Sequence, residues 1–146
     1  MAHEHVFNKH KLNQQAATLL IQPDHGFLPS GIHCLYYSAY QLVNFMLHDT
    51  FEMSKEDIFR AQEDYKDSGG EQRGSHELTI MIFYRELTNH VGTAIASAVK
   101  NNILELKLLR KKADYDNLII TELHATLAIS KYEPIIQNLY SEFKLE

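Results

Sequence analysis

The stretch SHELTIMIFYRELTNHVGTAIASA, residues 75–98, carries the longest hydrophobic pattern of the chain. Its apolar side chains recur every three to four residues, which is the period of one helix face. They are Ile80, Phe83, Leu87, Val91, Ala94, Ile95 and Ala98. The pattern predicts a central helix of about six turns with Ser75 as its N-cap. Gly92 lies inside the pattern at a cost of about 1 kcal/mol relative to alanine, which indicates close approach of another helix rather than a helix end.

Two amphipathic stripes with the same period precede this stretch. The first consists of Leu12, Ala16, Leu19 and Leu20, and the second of Leu35, Ala39, Leu42 and Met46. Each stripe predicts a helix that faces a shared core. Between the second stripe and the central stretch, Ser54 and Asp57 form a capping pair that predicts a shorter polar helix over about residues 55–65.

Further helices are predicted after the central stretch. A short one covers about residues 103–112, and Thr121 caps a last helix in which Pro134 predicts a kink near residues 130–134. The stripe of this last helix consists of Leu123, Leu127, Leu139 and Phe143. Strand-like alternation of apolar and polar residues is absent from the sequence. The expected fold is therefore all-α, an antiparallel up-and-down four-helix bundle with an additional short helix.

Length and composition indicate one compact unit. A chain of 146 residues that is 45% hydrophobic can bury a core without disulfides or a metal, so a single helical domain over residues 1–146 is predicted. Cys34 is the one cysteine of the sequence, which excludes a disulfide framework and favours a reducing, cytoplasmic setting. Neither a signal peptide nor a run of 18 apolar residues occurs, so secretion and membrane spanning are not expected.

Charge restricts the kinds of ligand that the protein can bind. The formal net charge of -5 disfavours broad, nonspecific binding of nucleic acid, so any contact with RNA or nucleotide must be local. His3, His5 and His10 lie near the N-terminus without cysteine or a suitable carboxylate, which does not make a metal site. Neither a metal nor a cofactor is predicted.

The segment that is richest in charged groups begins in the last turns of the predicted short helix. Four cations, Lys107, Arg110, Lys111 and Lys112, run into Asp114, Tyr115 and Asp116. In a structural interpretation the cations stabilise a helix C-terminus, Arg110 pairs with Asp114, and Tyr115 packs on the bundle. In a functional interpretation Arg110 binds phosphate, Tyr115 stacks on a base, and Asp114 fixes the guanidinium plane.

His76 is a further candidate, because it falls in the first turn of the central helix. The helix dipole disfavours a protonated imidazole there, so a neutral His76 could accept a proton. The alternative is a histidine that hydrogen-bonds a neighbouring loop. Tyr36, Tyr37 and Tyr40 could stack on bases, but an aromatic stripe at helical spacing is more typical of a core or a dimer interface.

Three segments in this order resemble the HEPN domain family, in particular its short, stand-alone prokaryotic members. They are residues 33–40 (HCLYYSAY), residues 74–77 (GSHE) and residues 109–116 (LRKKADYD), and the resemblance spans about residues 32–143. It implies a bundle of four or five helices, a homodimer, and binding of nucleotide or RNA. It also implies a possible minimal nucleotidyltransferase partner in a toxin-antitoxin type of system.

The resemblance also implies an alternative function, that of a metal-independent endoribonuclease toxin. RNA-cutting members of the family use an Arg and a His separated by four to six residues, and Arg85 and His90 have this spacing here. The His would assist proton transfer and the Arg would stabilise phosphate charge. On a straight helix the two side chains point about 140° apart, so a bend or a second subunit would be needed. Glu86 follows Arg85 directly and would repel a phosphate.

Overall fold

The structure is a computed structural model that describes residues 3–22, 26–69, 74–115 and 119–146. Within these ranges it is all-helical, and the predicted all-α class is confirmed there. The helices are α1 (Glu4–Leu20), α2 (Leu28–Phe45), α3 (Lys55–Gly69), α4 (Ser75–Val91), α5 (Thr93–Tyr115) and α6 (Glu122–Phe143). A π-helical segment, Met46–Thr50, continues α2. None of the described helices combines the length and apolar character needed to cross a bilayer.

Helix α2 lies at the centre of the packing and contacts α1, α4, α5 and α6. The second predicted stripe is confirmed, because Leu35, Ala39, Leu42 and Met46 are all buried. Helix α1 runs antiparallel to α2: the rings of Phe7 and Phe45 lie 4.9 Å apart, and His10 contacts Ser38 further along the pair. The core therefore surrounds α2 on several sides.

The predicted single helix over residues 75–98 is wrong in one respect, because it ends at Gly92 and a new helix begins at Thr93. Gly92 has φ +87° and ψ 168°, a region that glycine alone adopts readily. Helices α4 and α5 then run antiparallel: Tyr84 lies near Ser97, and Glu77 in the first turn of α4 pairs with Lys107 further along α5. The predicted short helix over residues 103–112 is accordingly the second half of α5.

We expect Gly92→Ala to lower the free energy of unfolding by about 1–3 kcal/mol, because a Cβ strains this backbone conformation. A Cβ at Gly92 would meet no atom within 4 Å, so the loss would come from the backbone alone. Asn101→Ala is the control, since Asn101 is exposed in the interior of α5, where alanine is a good helix former. Urea unfolding of both variants tests this prediction, and equal losses would contradict it.

The predicted helix caps are confirmed at the starts of α3 and α6, where both capping residues lie within one turn. Ser54 and Asp57 exchange hydrogen bonds at the start of α3, and Thr121 forms a capping box with His124 at the start of α6. Ser75 is not a cap, because Gly74 occupies that position and Ser75 is the first residue of α4. Helix α6 continues through Pro134 to Phe143.

The predicted stripe of α1 is wrong at Leu12 and Leu19, and that of α6 is wrong at Leu123 and Leu127 but confirmed at Leu139. Leu12 and Leu19 of α1 are exposed, and in α6 Leu123 is 78% exposed. The residues that α1 buries are Phe7, His10 and Ala17, and those that α6 buries are Ala125, Ala128, Tyr132, Ile135 and Leu139. Both helices carry apolar residues on two faces, so the period alone could not show which face meets the core.

Candidate functional site

Three helices meet where α5 ends and α2 and α4 begin. Their side chains form a cluster that we call the Arg110 site. It consists of His33, Tyr36 and Tyr37 from α2, His76 from α4, and Arg110, Asp114 and Tyr115 from α5. The site thus includes all four predicted binding residues, which lie on two helices far apart in the sequence.

Arg110 is the centre of the site and is almost completely buried. Its exposed fraction is 7%, because it follows Ile103 and Leu106 on the face of α5 that packs into the core. An arginine rarely occupies such a position without partners. Burial by itself lowers the pKa of Arg110, but the phenols of Tyr37, Tyr115 and Tyr36 outweigh it and raise the pKa above its ordinary value. The guanidinium is therefore a charged group held inside the protein.

Three tyrosine rings surround this guanidinium. Its central carbon, Cζ, lies 5.2 Å from the ring centre of Tyr36, 5.5 Å from that of Tyr37 and 5.7 Å from that of Tyr115. These distances permit cation–π attraction, which gains strength where water is excluded. Tyr36 is fully buried and forms the floor, whereas Tyr115 is 75% exposed at the end of α5.

The hydrogen bonds of Arg110 leave part of the guanidinium without a partner. Nη1 donates to Asp114 Oδ2 at 3.5 Å and to the Tyr115 hydroxyl at 3.4 Å. The predicted ion pair between Arg110 and Asp114 is thus present. Nε is enclosed, and among the described residues it has no hydrogen-bond partner. An enclosed donor without a partner is costly in a folded protein, so it requires an explanation.

Asp114 is held more tightly by His33 than by Arg110. The distance from His33 Nδ1 to Asp114 Oδ2 is 2.7 Å, against 3.5 Å for the bond from Arg110. Because a carboxylate can only accept, Nδ1 of His33 carries the hydrogen. The ring of His33 also packs on Tyr37, with 4.6 Å between the ring centres. Arg110 therefore shares its counter-ion with a second group.

His76 closes the other side of the site as a neutral base. Its Nδ1 shares a 2.8 Å hydrogen bond with the Tyr36 hydroxyl, and its ring stacks on Tyr40 at 4.0 Å between centres. Burial lowers the pKa of His76, and the nearby charges of Arg110 and Lys107 lower it further. The alternative prediction was a hydrogen bond from His76 to a neighbouring loop. The hydrogen-bond partner is instead the Tyr36 hydroxyl of α2.

A second buried cation lies one turn before Arg110. Lys107 is largely buried, and its Nζ lies 3.3 Å from Glu77 Oε1 in the first turn of α4. The two cations at positions 107 and 110 therefore each have a carboxylate partner. Because Glu77 is more exposed than Lys107, this pair marks the rim of the cluster and not its floor.

Arg85 and His90, the pair predicted for the alternative nuclease, lie elsewhere. His90 is 14 residues from His76 on the same helix, which is about 21 Å along its axis. Arg85 Nη2 bonds Glu86 at 3.2 Å, and His90 Nδ1 donates to the carbonyl oxygen of Glu86. The His90 ring packs on Phe51, 4.8 Å away. The structure therefore does not bring these residues into the Arg110 site.

Sequence reasoning missed His33, the closest partner of Asp114. The signal was available, because His33, Tyr36 and Tyr37 are spaced so that they share one face of a helix. Their relation to Arg110 was not available, since it depends on how α2 packs against α5. Asp116, the last residue of the predicted charged segment, lies outside the described residues.

In the parts of the chain that the structure describes, no three histidine, cysteine or acidic side chains are grouped as metal ligands would be. The fold and the site together define an all-helical protein with a charged arginine enclosed by tyrosines. Comparison with models of known protein families, with curated proteins and with solved structures gave no match for this chain. The chemistry of the Arg110 site is therefore the basis for a functional proposal.

Proposed function

We propose that this protein is a HEPN-like helical module that binds nucleotide or RNA at the Arg110 site. The observation that carries the proposal is the enclosed Nε of Arg110, a charged donor without a partner among the described residues. The segments at residues 33–40, 74–77 and 109–116, on which the HEPN resemblance depends, all contribute side chains to this one site. Packing of α2 against α1, α5 and α6 supports a four-helix bundle arrangement.

The guanidinium geometry is suited to phosphate. Both hydrogen bonds of Arg110 to described residues run from Nη1, so the edge formed by Nε and Nη2 remains for a ligand. Two parallel N–H donors on one planar edge match two oxygens of a phosphate. With a net charge of -5, the protein would depend on such a local contact rather than on a broad basic surface.

The ring of Tyr115 beside Arg110 favours a nucleotide over free phosphate as the ligand. Tyr115 is 75% exposed, and its hydroxyl already bonds Arg110. Stacking of a base on such a ring contributes about 1–3 kcal/mol. Because Nε is enclosed, a ligand has to displace a neighbouring side chain, and Tyr115 at the end of α5 is held least by the core.

We expect Arg110→Ala to weaken binding of a labelled RNA oligonucleotide or of AMP at least tenfold, because charge-assisted hydrogen bonds are worth about 1.5–3 kcal/mol. Arg110→Lys keeps the charge but loses the planar edge, so it should also weaken binding. Fluorescence anisotropy and calorimetry measure both variants, and circular dichroism checks their fold.

Arg85→Ala is the matched control, since Arg85 is a more exposed arginine that also pairs with a carboxylate. It should change the affinity less than twofold. Unchanged binding by a folded Arg110→Ala variant would remove the proposal, and a loss confined to Arg85→Ala would favour the alternative site.

The proposal includes a homodimer and a nucleotidyltransferase-type partner in a toxin-antitoxin system, and the motif resemblance is the support for both. Sedimentation at high protein concentration tests the dimer, and a monomer throughout would contradict it. Co-purification with a small nucleotidyltransferase encoded beside this chain tests the partner.

The endoribonuclease alternative with Arg85 and His90 stays a prediction. The Arg110 site is favoured over it because Arg85 already pairs with Glu86, and Nδ1 of His90 already donates to a carbonyl oxygen of its own helix. Cellular toxicity that His90→Ala abolishes would reverse this preference.

A further inference from the structure

We infer that the Arg110 site selects a terminal phosphate, the monoester of a free nucleotide or of an RNA end, and rejects the internal phosphodiesters of an RNA strand. This inference rests on the proposed function and names its ligand more closely. The evidence for it is the burial of the Arg110 guanidinium and the side chains that enclose this group.

The guanidinium of Arg110 lies largely inside the protein. Arg110 is 7% exposed, and its Nε is closed off from solvent. Tyr36 lies fully buried beneath the guanidinium, and Tyr37 packs beside it. A phosphate that reaches Nε must therefore displace a neighbouring side chain and come to lie against Tyr36 and Tyr37.

Internal and terminal phosphates differ in how much space they need. An internal phosphodiester carries a nucleoside on each side, so both neighbours would have to fit around an enclosed guanidinium. A terminal phosphate carries a substituent on one side, and its remaining oxygens can point inward. Displacement of Tyr115 from the end of α5 opens one side of the cluster, because the opposite side is held by Tyr36 and its hydrogen bond to His76.

Internal and terminal phosphates also differ in charge. A terminal phosphate carries about two negative charges near neutral pH, against one for a diester. Asp114 is the carboxylate nearest to the guanidinium, but its shorter hydrogen bond comes from His33. His33 thus holds Asp114 in place when Arg110 turns to the ligand, and Lys107 adds a second buried cation one turn away.

Two other features of the described residues lack a group that points to a ligand. His10 and Ser38 lie 2.9 Å apart with Tyr132 and Tyr140 nearby, but His10 and Ser38 are fully buried and their hydrogen bonds are made within the cluster. A groove of about 490 Å³ between α1, α2 and α6 shows nothing that identifies an occupant. The Arg110 site alone among these combines burial with a partnerless donor.

The experiment compares ligands that differ only at the phosphate. One RNA oligonucleotide is prepared with a phosphate at its 5′ end, at its 3′ end, or at neither end, and AMP is compared with its methyl phosphodiester. The full chain is measured by calorimetry, alongside Arg110→Lys and the Arg85→Ala control. Comparison of the affinities for the RNA oligonucleotides with those for AMP and its diester shows whether the ligand is an RNA end or a free nucleotide.

We expect at least one end-phosphorylated RNA, or AMP, to bind about tenfold tighter than its partner without a terminal phosphate. Arg110→Lys should abolish this preference because lysine has no planar edge, and Arg85→Ala should keep it. Equal, Arg110-dependent affinity for RNA with and without an end phosphate would overturn the inference and leave the proposed function standing. Absence of binding to every RNA and to AMP would overturn both.

Discussion

Replacement of Tyr36 by alanine should lower the free energy of unfolding by about 3–5 kcal/mol, the usual cost of removing a large buried aromatic side chain. Tyr36 is fully buried in α2, and its ring stacks on Tyr40 with 6.0 Å between centres. Arg110 lies above the same ring, so the substitution would also leave a buried cation over a cavity. Few domains of this size could lose so much and stay fully folded at elevated temperature.

Two further variants separate the ring of Tyr36 from its hydroxyl. Tyr36→Phe keeps the ring but removes the hydrogen bond to His76, so it should cost about 1–2 kcal/mol. Tyr115→Ala removes a ring that also contacts Arg110 but is mostly exposed, and it should cost less than about 1 kcal/mol. Urea unfolding at low temperature measures all three variants. A loss below about 1.5 kcal/mol for Tyr36→Ala would contradict the packing described here.

The second large effect is loss of stability in mild acid through His10. This residue is fully buried where α1 meets α2 and α6. Its Nδ1 donates to the carbonyl oxygen of Ser38 at 2.9 Å, and its Nε2 therefore accepts from the Tyr140 hydroxyl at 2.8 Å. Both ring nitrogens of the neutral imidazole are thus paired, and a proton on Nε2 would place a charged imidazolium in the core and force the Tyr140 hydroxyl to turn from donor to acceptor.

Burial lowers the pKa of His10 from 6.5 to about 4, and the nearby charge of Lys11 also lowers it, against the raising effect of the Ser38 hydrogen bond. Between pH 6.5 and 4 the unfolded chain binds a proton at His10 and the folded protein does not. Stability therefore falls as the pH falls through this window and levels off below it. The shift corresponds to about 3 kcal/mol.

The contribution of His10 can be isolated from that of the carboxylates. The free energy of unfolding of the wild type and of His10→Gln is measured with urea from pH 7 to pH 4. It should fall by about 3 kcal/mol less in the variant than in the wild type over this range. His5→Gln, at an exposed position of the same helix, should decline like the wild type. Nuclear magnetic resonance gives a direct check: a His10 ring that titrates near pH 6.5 would contradict the prediction.

The features predicted correctly depend on residues close together in the chain. Thr121 and His124 make their capping box within one helical turn, and so do Ser54 and Asp57. The stripe from Leu35 to Met46 lies on α2, which is packed on several sides, so all the apolar positions that its period identified are buried. The ion pair of Arg110 and Asp114 is of the same kind, because residues four apart on a helix are neighbours.

The features predicted incorrectly depend on neighbours that the sequence does not identify. Gly92 was placed inside a helix because the apolar period continues across it, whereas the backbone there turns through a positive φ and returns α5 along α4. Leu123 was assigned to the core because α6 has a second apolar face. In both cases the local pattern permitted two structures, and long-range packing decided between them.

The sequence by itself determined that the chain is helical where it is described and where several helices begin. It also placed Arg110, Asp114 and Tyr115 within about one helical turn of each other, which makes them neighbours. Those properties follow from hydrogen bonding and spacing within a turn or two of helix. Tertiary structure alone decided that Arg110 is buried, that Tyr36 and Tyr37 enclose it, and that His33 holds Asp114. These contacts join α2, α4 and α5 across tens of residues, and packing of side chains against distant helices has no signature in local periodicity.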